Sequence, residues 1–153
     1  MQRPKARRLA LQGLCCLDVQ GESALALVET FIRDSRESPE IQAEACRMLR
    51  AAFAARATSD ALLEGESYHW NVHRMALVDR NILRLALWEM AAEKTPHKVV
   101  ITEALRLAQD FSSAESSRFI NGVLDAAARR LAGSDKTKEF DTEGQRDREE
   151  NSK

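Results

Sequence analysis

Apolar residues recur along this chain at steps of three and four, the spacing of one helical face, and no segment alternates as a strand would. A first helix is expected from near Pro4, a residue suited to a first helical turn. It runs through "ARRLALQGLCCLDV" and ends at Gly21. Ser23 is the expected N-cap of a short helix reaching about Arg33. Ser38 as N-cap, Pro39 at the first position and Glu40 in the first turn open a third helix. Ile41, Ala45, Met48, Leu49, Ala52 and Phe53 repeat along it. The pattern restarts at Thr58 or Ser59 and weakens at Gly65. "VDRNILRLALWEMAAEK" is apolar nearly all round, at Ile82, Leu83, Leu85, Ala86, Leu87 and Met90. A helix of that kind normally sits at the centre. Pro96 opens the next, with Val100, Ala104, Leu107, Ala108 and Phe111 on one face. The last is capped by Ser112 or Ser113, turns Phe119, Ile120, Val123, Leu124, Ala127 and Leu131 inward, and stops at Gly133. The expected fold class is all-α, a single compact bundle of about seven helices over residues 1–132.

Residues 133–153 break the pattern. "GSDKTKEFDTEGQRDREENSK" has twelve charged residues and one large apolar one, Phe140. That is too little apolar surface to offset the entropy of ordering, so a charged, disordered tail is expected.

Composition narrows the function classes. No apolar run of about 18 residues exists to cross a membrane, and no secretory leader follows the basic start. Cys15, Cys16 and Cys46 lack metal-ligand spacing, and adjacent cysteines rarely pair with each other. A reducing cytoplasm is expected, with the thiols acting as small hydrophobes. His69 and His73 stand four apart, but only Glu66 is near them as a further ligand. Packing beside the central helix, together with Tyr68 and Trp70, is the favoured reading. Neither a Gly-rich phosphate loop nor a nucleophile elbow occurs, so neither catalysis nor a cofactor is expected.

Charge is more informative by position than in total. The net is -1, yet residues 1–8 hold Arg3, Lys5, Arg7 and Arg8 and no acid. Cations at a helix start oppose its dipole. Phosphate contact explains such a cluster; a solubilising basic end is the alternative. Gln12, one turn beyond Arg8, either reaches a base edge or packs. Asn121-Gly122 sits inside the last helix although Asn-Gly is a strong turn signal. A glycine there suits a crossing point where another helix backbone passes close by, with Asn121 hydrogen-bonding it.

The strings "ARRLALQGLCCLD" (6–18), "VDRNILRLALWEM" (78–90), "VVITEALRLAQDF" (99–111) and "FINGVLD" (119–125) together resemble the NusB family of bacterial transcription antitermination factors. The resemblance spans roughly residues 3–132 and is most specific from 78 to 125. Two places depart from the family pattern. Cys15 stands where an aromatic residue is usual, and the third helix reads "ACRMLRAAF" in place of aromatic residues and a Gly-Val. A similar domain occurs in ribosomal-RNA cytosine methyltransferases, there with a catalytic domain added.

The resemblance implies binding to a short single-stranded boxA element of nascent ribosomal RNA, as a heterodimer with the ribosomal protein NusE. It implies support for RNA polymerase read-through within the transcription elongation complex. It also allows a homodimer. Arg3, Lys5, Arg7 and Arg8 are the implied phosphate contacts, with Gln12 beside them. Phe111, Glu115 and Arg118 occupy family positions near the RNA: Phe111 stacks on a base or fills the core, Arg118 meets phosphate or solvent, and Glu115 meets a base donor or the helix N-terminus. Asp79 is the implied partner contact, or else an N-cap; Arg80 and Arg84 are partner contacts or solvated charges. The alternatives are a helical protein-interaction module, or an RNA-guiding domain serving a separate methyltransferase.

Overall fold

A computed structural model describes the backbone of residues 3–64 and 71–150, and side chains within them as far as residue 133. The described residues form seven α-helices: α1 (Arg3–Gln20), α2 (Leu25–Arg33), α3 (Pro39–Ala54), α4 (Arg56–Leu63), α5 (Leu77–Ala92), α6 (His97–Phe111) and α7 (Ala114–Glu150). Short 3-10 turns, Glu22–Ala24 and Val72–Arg74, precede α2 and α5. None of the described helices is long and apolar enough to cross a membrane.

The all-apolar helix is the centre, as its pattern predicts. Every residue from Asn81 to Met90 on α5 is buried, and α1, α3, α4, α6 and α7 pack around it. Ile82, Leu83 and Leu87 are wholly out of water, each contributing about 1.5–3 kcal/mol of transfer free energy. α1 lies along α3, and α2 closes that side of the bundle.

Ser38 caps α3, accepting from the Ile41 amide at 3.3 Å, with Pro39 next. Ser23 does not cap α2; it lies within a 3-10 turn entered from Gly21, whose φ of 88° lies in the region that glycine enters without strain. α4 begins at Arg56, earlier than Thr58 or Ser59, and Ser59 is buried. α7 continues through Gly133, where the pattern placed its end. A glycine costs a helix on the order of 1 kcal/mol and does not by itself stop it. The expected 133–153 tail lies beyond the described side chains save for Gly133. His69, Glu66, Tyr68 and Trp70 lie outside the described residues, and His73 is exposed on its 3-10 turn.

The glycine packing differs from expectation. A methyl group at Gly122 would meet nothing within 4 Å, and Asn121 beside it is exposed. Among the described residues no helix crosses there. The close approach is at Gly13 on α1, where a Cβ would lie 3.0 Å from Leu49 Cδ1 and 3.1 Å from Val28 Cγ1. Cys15, half-buried nearby, has its thiol pushed up to about 11 by burial and then by the Asp18 charge.

Candidate nucleic-acid interface

The basic arm of α1 is divided by the helix into inward and outward charges. Arg7 is 5% exposed. Its Nε donates to Glu89 Oε2 at 3.0 Å and its Nη1 lies 3.9 Å from Glu103 Oε2, joining α1 to α5 and α6. Thr95 Oγ1 donates to the same Glu89 at 3.4 Å. The expectation of Arg7 as a phosphate contact is therefore corrected: its charge is matched within the core, and anions in solution do not reach it.

Arg3 is half-buried, with Glu44, Glu89 and Glu93 oxygens at 3.6, 3.8 and 4.0 Å. Lys5 Nζ stands 3.5 Å from Glu37 Oε2, its side chain half exposed. Arg8 pairs with Asp110, and its guanidinium carbon lies 5.0 Å from the centre of the Phe111 ring. Cation and ring face of this kind attract through the ring quadrupole. Gln12 is exposed one turn on, beside the Gly13 contact.

Phe111 ends α6, half-buried, and the chain turns at once into α7. Ser113 caps α7 by accepting from the Ser116 amide at 3.1 Å. Asp79 holds this corner from beneath: Ser112 and Ser116 hydroxyls each donate to one of its carboxylate oxygens at 2.8 Å. Asp79 is buried and each of its oxygens accepts from a serine of the α6–α7 corner, so its place in the fold is to hold that corner. It does not cap α5, since Ala76 stands at that position.

Glu115, Arg118 and Phe119 are exposed on the first turns of α7. Phe119, expected in the core, is 37% exposed. Ile120, Val123, Leu124 and Ala127 define the buried stripe, and Phe119 falls at its edge beside the bare Gly122. Its neighbours one turn either side, Glu115 and Gly122, are the signal in the sequence that this position faces water.

Arg84 is buried and Arg80 half-buried, and both pair within the fold. Arg84 donates to both Asp60 oxygens at 2.8 Å and to Asp18 at 3.2 Å; Arg80 also pairs with Asp18. Burial alone would raise the Asp18 pKa, but hydrogen bonds from Arg80 and Asn81 and the Arg84 charge outweigh it and hold the carboxyl below its ordinary range.

Arg8 is the contact that joins the arm to the α6–α7 corner, through Asp110 and the Phe111 ring; Lys5 and Gln12 are exposed along α1, and Glu115, Arg118 and Phe119 along the start of α7. Rings with guanidiniums alongside suit unpaired bases stacked on the former and phosphates held by the latter. Among the described residues no group of three His, Cys, Asp or Glu side chains is placed to hold a metal ion.

Comparison with known proteins matches this architecture. Residues 4–129 fit the NusB family model. The transcription antitermination protein NusB of Koribacter versatilis is 44% identical over 138 residues, covering 89% of this chain and 94% of that protein. That of Symbiobacterium thermophilum is 39% identical over 142 residues, covering 87% and 93%. The T. maritima NusB structure superposes with a TM-score of 0.75 at 28% identity, over 84% of this chain and 92% of that one. A crystal structure of antitermination factors NusB and NusE with dsRNA gives the same TM-score, 0.75, at 24% identity, over 85% of this chain and 99% of that one. With sequence and helical architecture in agreement over most of its length, this chain belongs to the NusB family.

Proposed function

We propose that this chain is a transcription antitermination factor that binds a boxA-type element of nascent ribosomal RNA together with the ribosomal protein NusE and supports read-through by RNA polymerase. Residues 1–132 form the binding unit, and the protein works in the cytoplasm as an adaptor without catalysis of its own. The observation that carries this reading is Arg8 seated over Phe111. It brings the α1 arm against the α6–α7 corner, so that a cation and a ring lie side by side as a single-strand reader uses them. Antitermination relatives at about 40% identity support it, as does the NusB neighbour solved with NusE and RNA. The phosphate contacts are Lys5, Arg8 and Arg118, with Arg3 at the edge. Gln12 and Glu115 face base edges, and Phe111 and Phe119 offer ring surface.

The direct test is a gel-shift titration of labelled boxA RNA against a scrambled RNA of the same composition, with and without NusE. Retention of boxA over scrambled RNA, strengthened by NusE, is the expected result. Equal retention of both RNAs under all conditions would overturn the proposal.

A further inference from the structure

A second cationic surface lies on α2 and α3, away from the α6–α7 corner. Arg33, Arg47 and Arg50 rim a groove of about 600 Å³ floored by Ala43, Cys46 and Ala51. The guanidiniums are outermost. Their side chains are 60%, 49% and 59% exposed, while Glu29, Glu44 and Glu93 beneath them are 5%, 13% and 26% exposed. Glu29 holds both Arg50 and Arg33, the latter at 3.4 Å; Glu44 and Glu93 hold Arg47 at 2.8 and 2.5 Å. Buried Glu29 and half-buried Glu44 and Glu93 orient the Arg50 and Arg47 guanidiniums and leave their outer edges to solvent.

The groove is continuous with the arm. Arg3 shares Glu44 and Glu93 with Arg47, at 3.6 and 4.0 Å. With Glu89, which Arg3 also reaches at 3.8 Å, four guanidiniums balance four carboxylates. Arg33, Arg47 and Arg50 nevertheless stand farther out than the acids that hold them, so an approaching anion meets the cations first. The groove's floor of alanines and a cysteine is small and apolar. It admits flat bases, and a row of fixed guanidiniums suits phosphates repeated once per nucleotide.

We infer that the α2–α3 groove holds a further stretch of the same single-stranded RNA, beyond the segment gripped by the arm and the α6–α7 corner, through phosphate contacts that do not read sequence. This rests on the RNA-binding reading above. The test is fluorescence anisotropy with the full chain and NusE on two RNAs: the boxA element alone, and the same element lengthened at either end by about ten nucleotides of arbitrary sequence. The lengthened RNA is expected to bind at least about tenfold tighter, its plot of log K against log salt steeper by about 2, for three added phosphate contacts. Arg33→Gln, which spares the Arg50–Glu29 pair, is expected to remove about 0.7 of that added slope and leave binding of the short RNA unchanged. Equal affinity and slope for the two RNAs with the unaltered protein would overturn the inference while leaving the function intact. Failure of both RNAs to bind would overturn the functional reading and the inference with it.

Discussion

Arg7 of α1 and Glu89 of α5, 82 residues apart in sequence, meet inside the bundle with Nε 3.0 Å from Oε2, whereas Arg8 points outward over Phe111. Successive helical residues are rotated by about 100°. One step along the chain therefore separates a charge that holds the fold from one presented to a ligand.

Arg7→Ala is expected to destabilise the protein by about 3–5 kcal/mol, because it leaves the Glu89 carboxylate buried without its partner. Arg8→Ala removes an exposed pair with Asp110 and the contact over Phe111, and is expected to cost about 1 kcal/mol. Urea unfolding of the two single variants measures the difference. Equal midpoints would contradict the division of roles.

Arg7 and Arg8 also show what the sequence alone conveys. The helix, its basic face and its place at the start of the fold are legible in "RPKARRLALQGL"; which arginine turns inward depends on Glu89, far along the chain. Helical registers, the Ser38 cap and the buried α5 follow from local periodicity and are read directly. Gly122 and Gly13 are harder, since a glycine looks the same whether a neighbour crowds it or water does. Phe119 reads as a core residue because hydrophobicity describes the residue, while its exposure depends on where the buried stripe ends. For Asp79 the decisive partners, Ser112 and Ser116, arrive from another corner of the fold.

The two glycines should respond oppositely to substitution. Gly122→Ala fills open space on an exposed helix and is expected to stabilise by up to about 1 kcal/mol. Gly13→Val drives carbons into Leu49 and Val28 and is expected to cost about 1–3 kcal/mol. Thermal unfolding of both variants checks the signs; a destabilising Gly122→Ala would show that a neighbour does approach there.

Stability should fall in acid. The Arg50 hydrogen bond lowers the Glu29 pKa, the Arg47 hydrogen bond that of Glu44, and Asp18 is held low by its arginines against burial. In the unfolded chain these carboxyls titrate near about 4. Around and below that pH the unfolded state binds more protons than the folded one, so stability is present above it and is lost as pH falls further. The unfolding temperature is expected to be level near neutrality and to drop below about pH 5, with a shallower drop for Asp18→Asn. An unfolding temperature unchanged to pH 3 would contradict these ion pairs.

Asp79→Ala leaves the Ser112 and Ser116 hydroxyls without their acceptor and is expected to destabilise by about 1–3 kcal/mol. Hydrogen exchange should rise first at the α6–α7 corner. Unchanged protection there, with loss of NusE binding alone, would instead make Asp79 a partner contact.

The most direct measurement is the affinity of boxA RNA, with NusE present, for the native protein and for Lys5→Ala/Arg8→Ala across a salt series. Contacts from Lys5, Arg8 and Arg118 predict a slope of log K against log salt near about -2, falling to about -0.7 in the variant with the unfolding midpoint nearly unchanged. A variant that binds as tightly and with the same slope as the native protein would contradict the assignment of this surface to RNA.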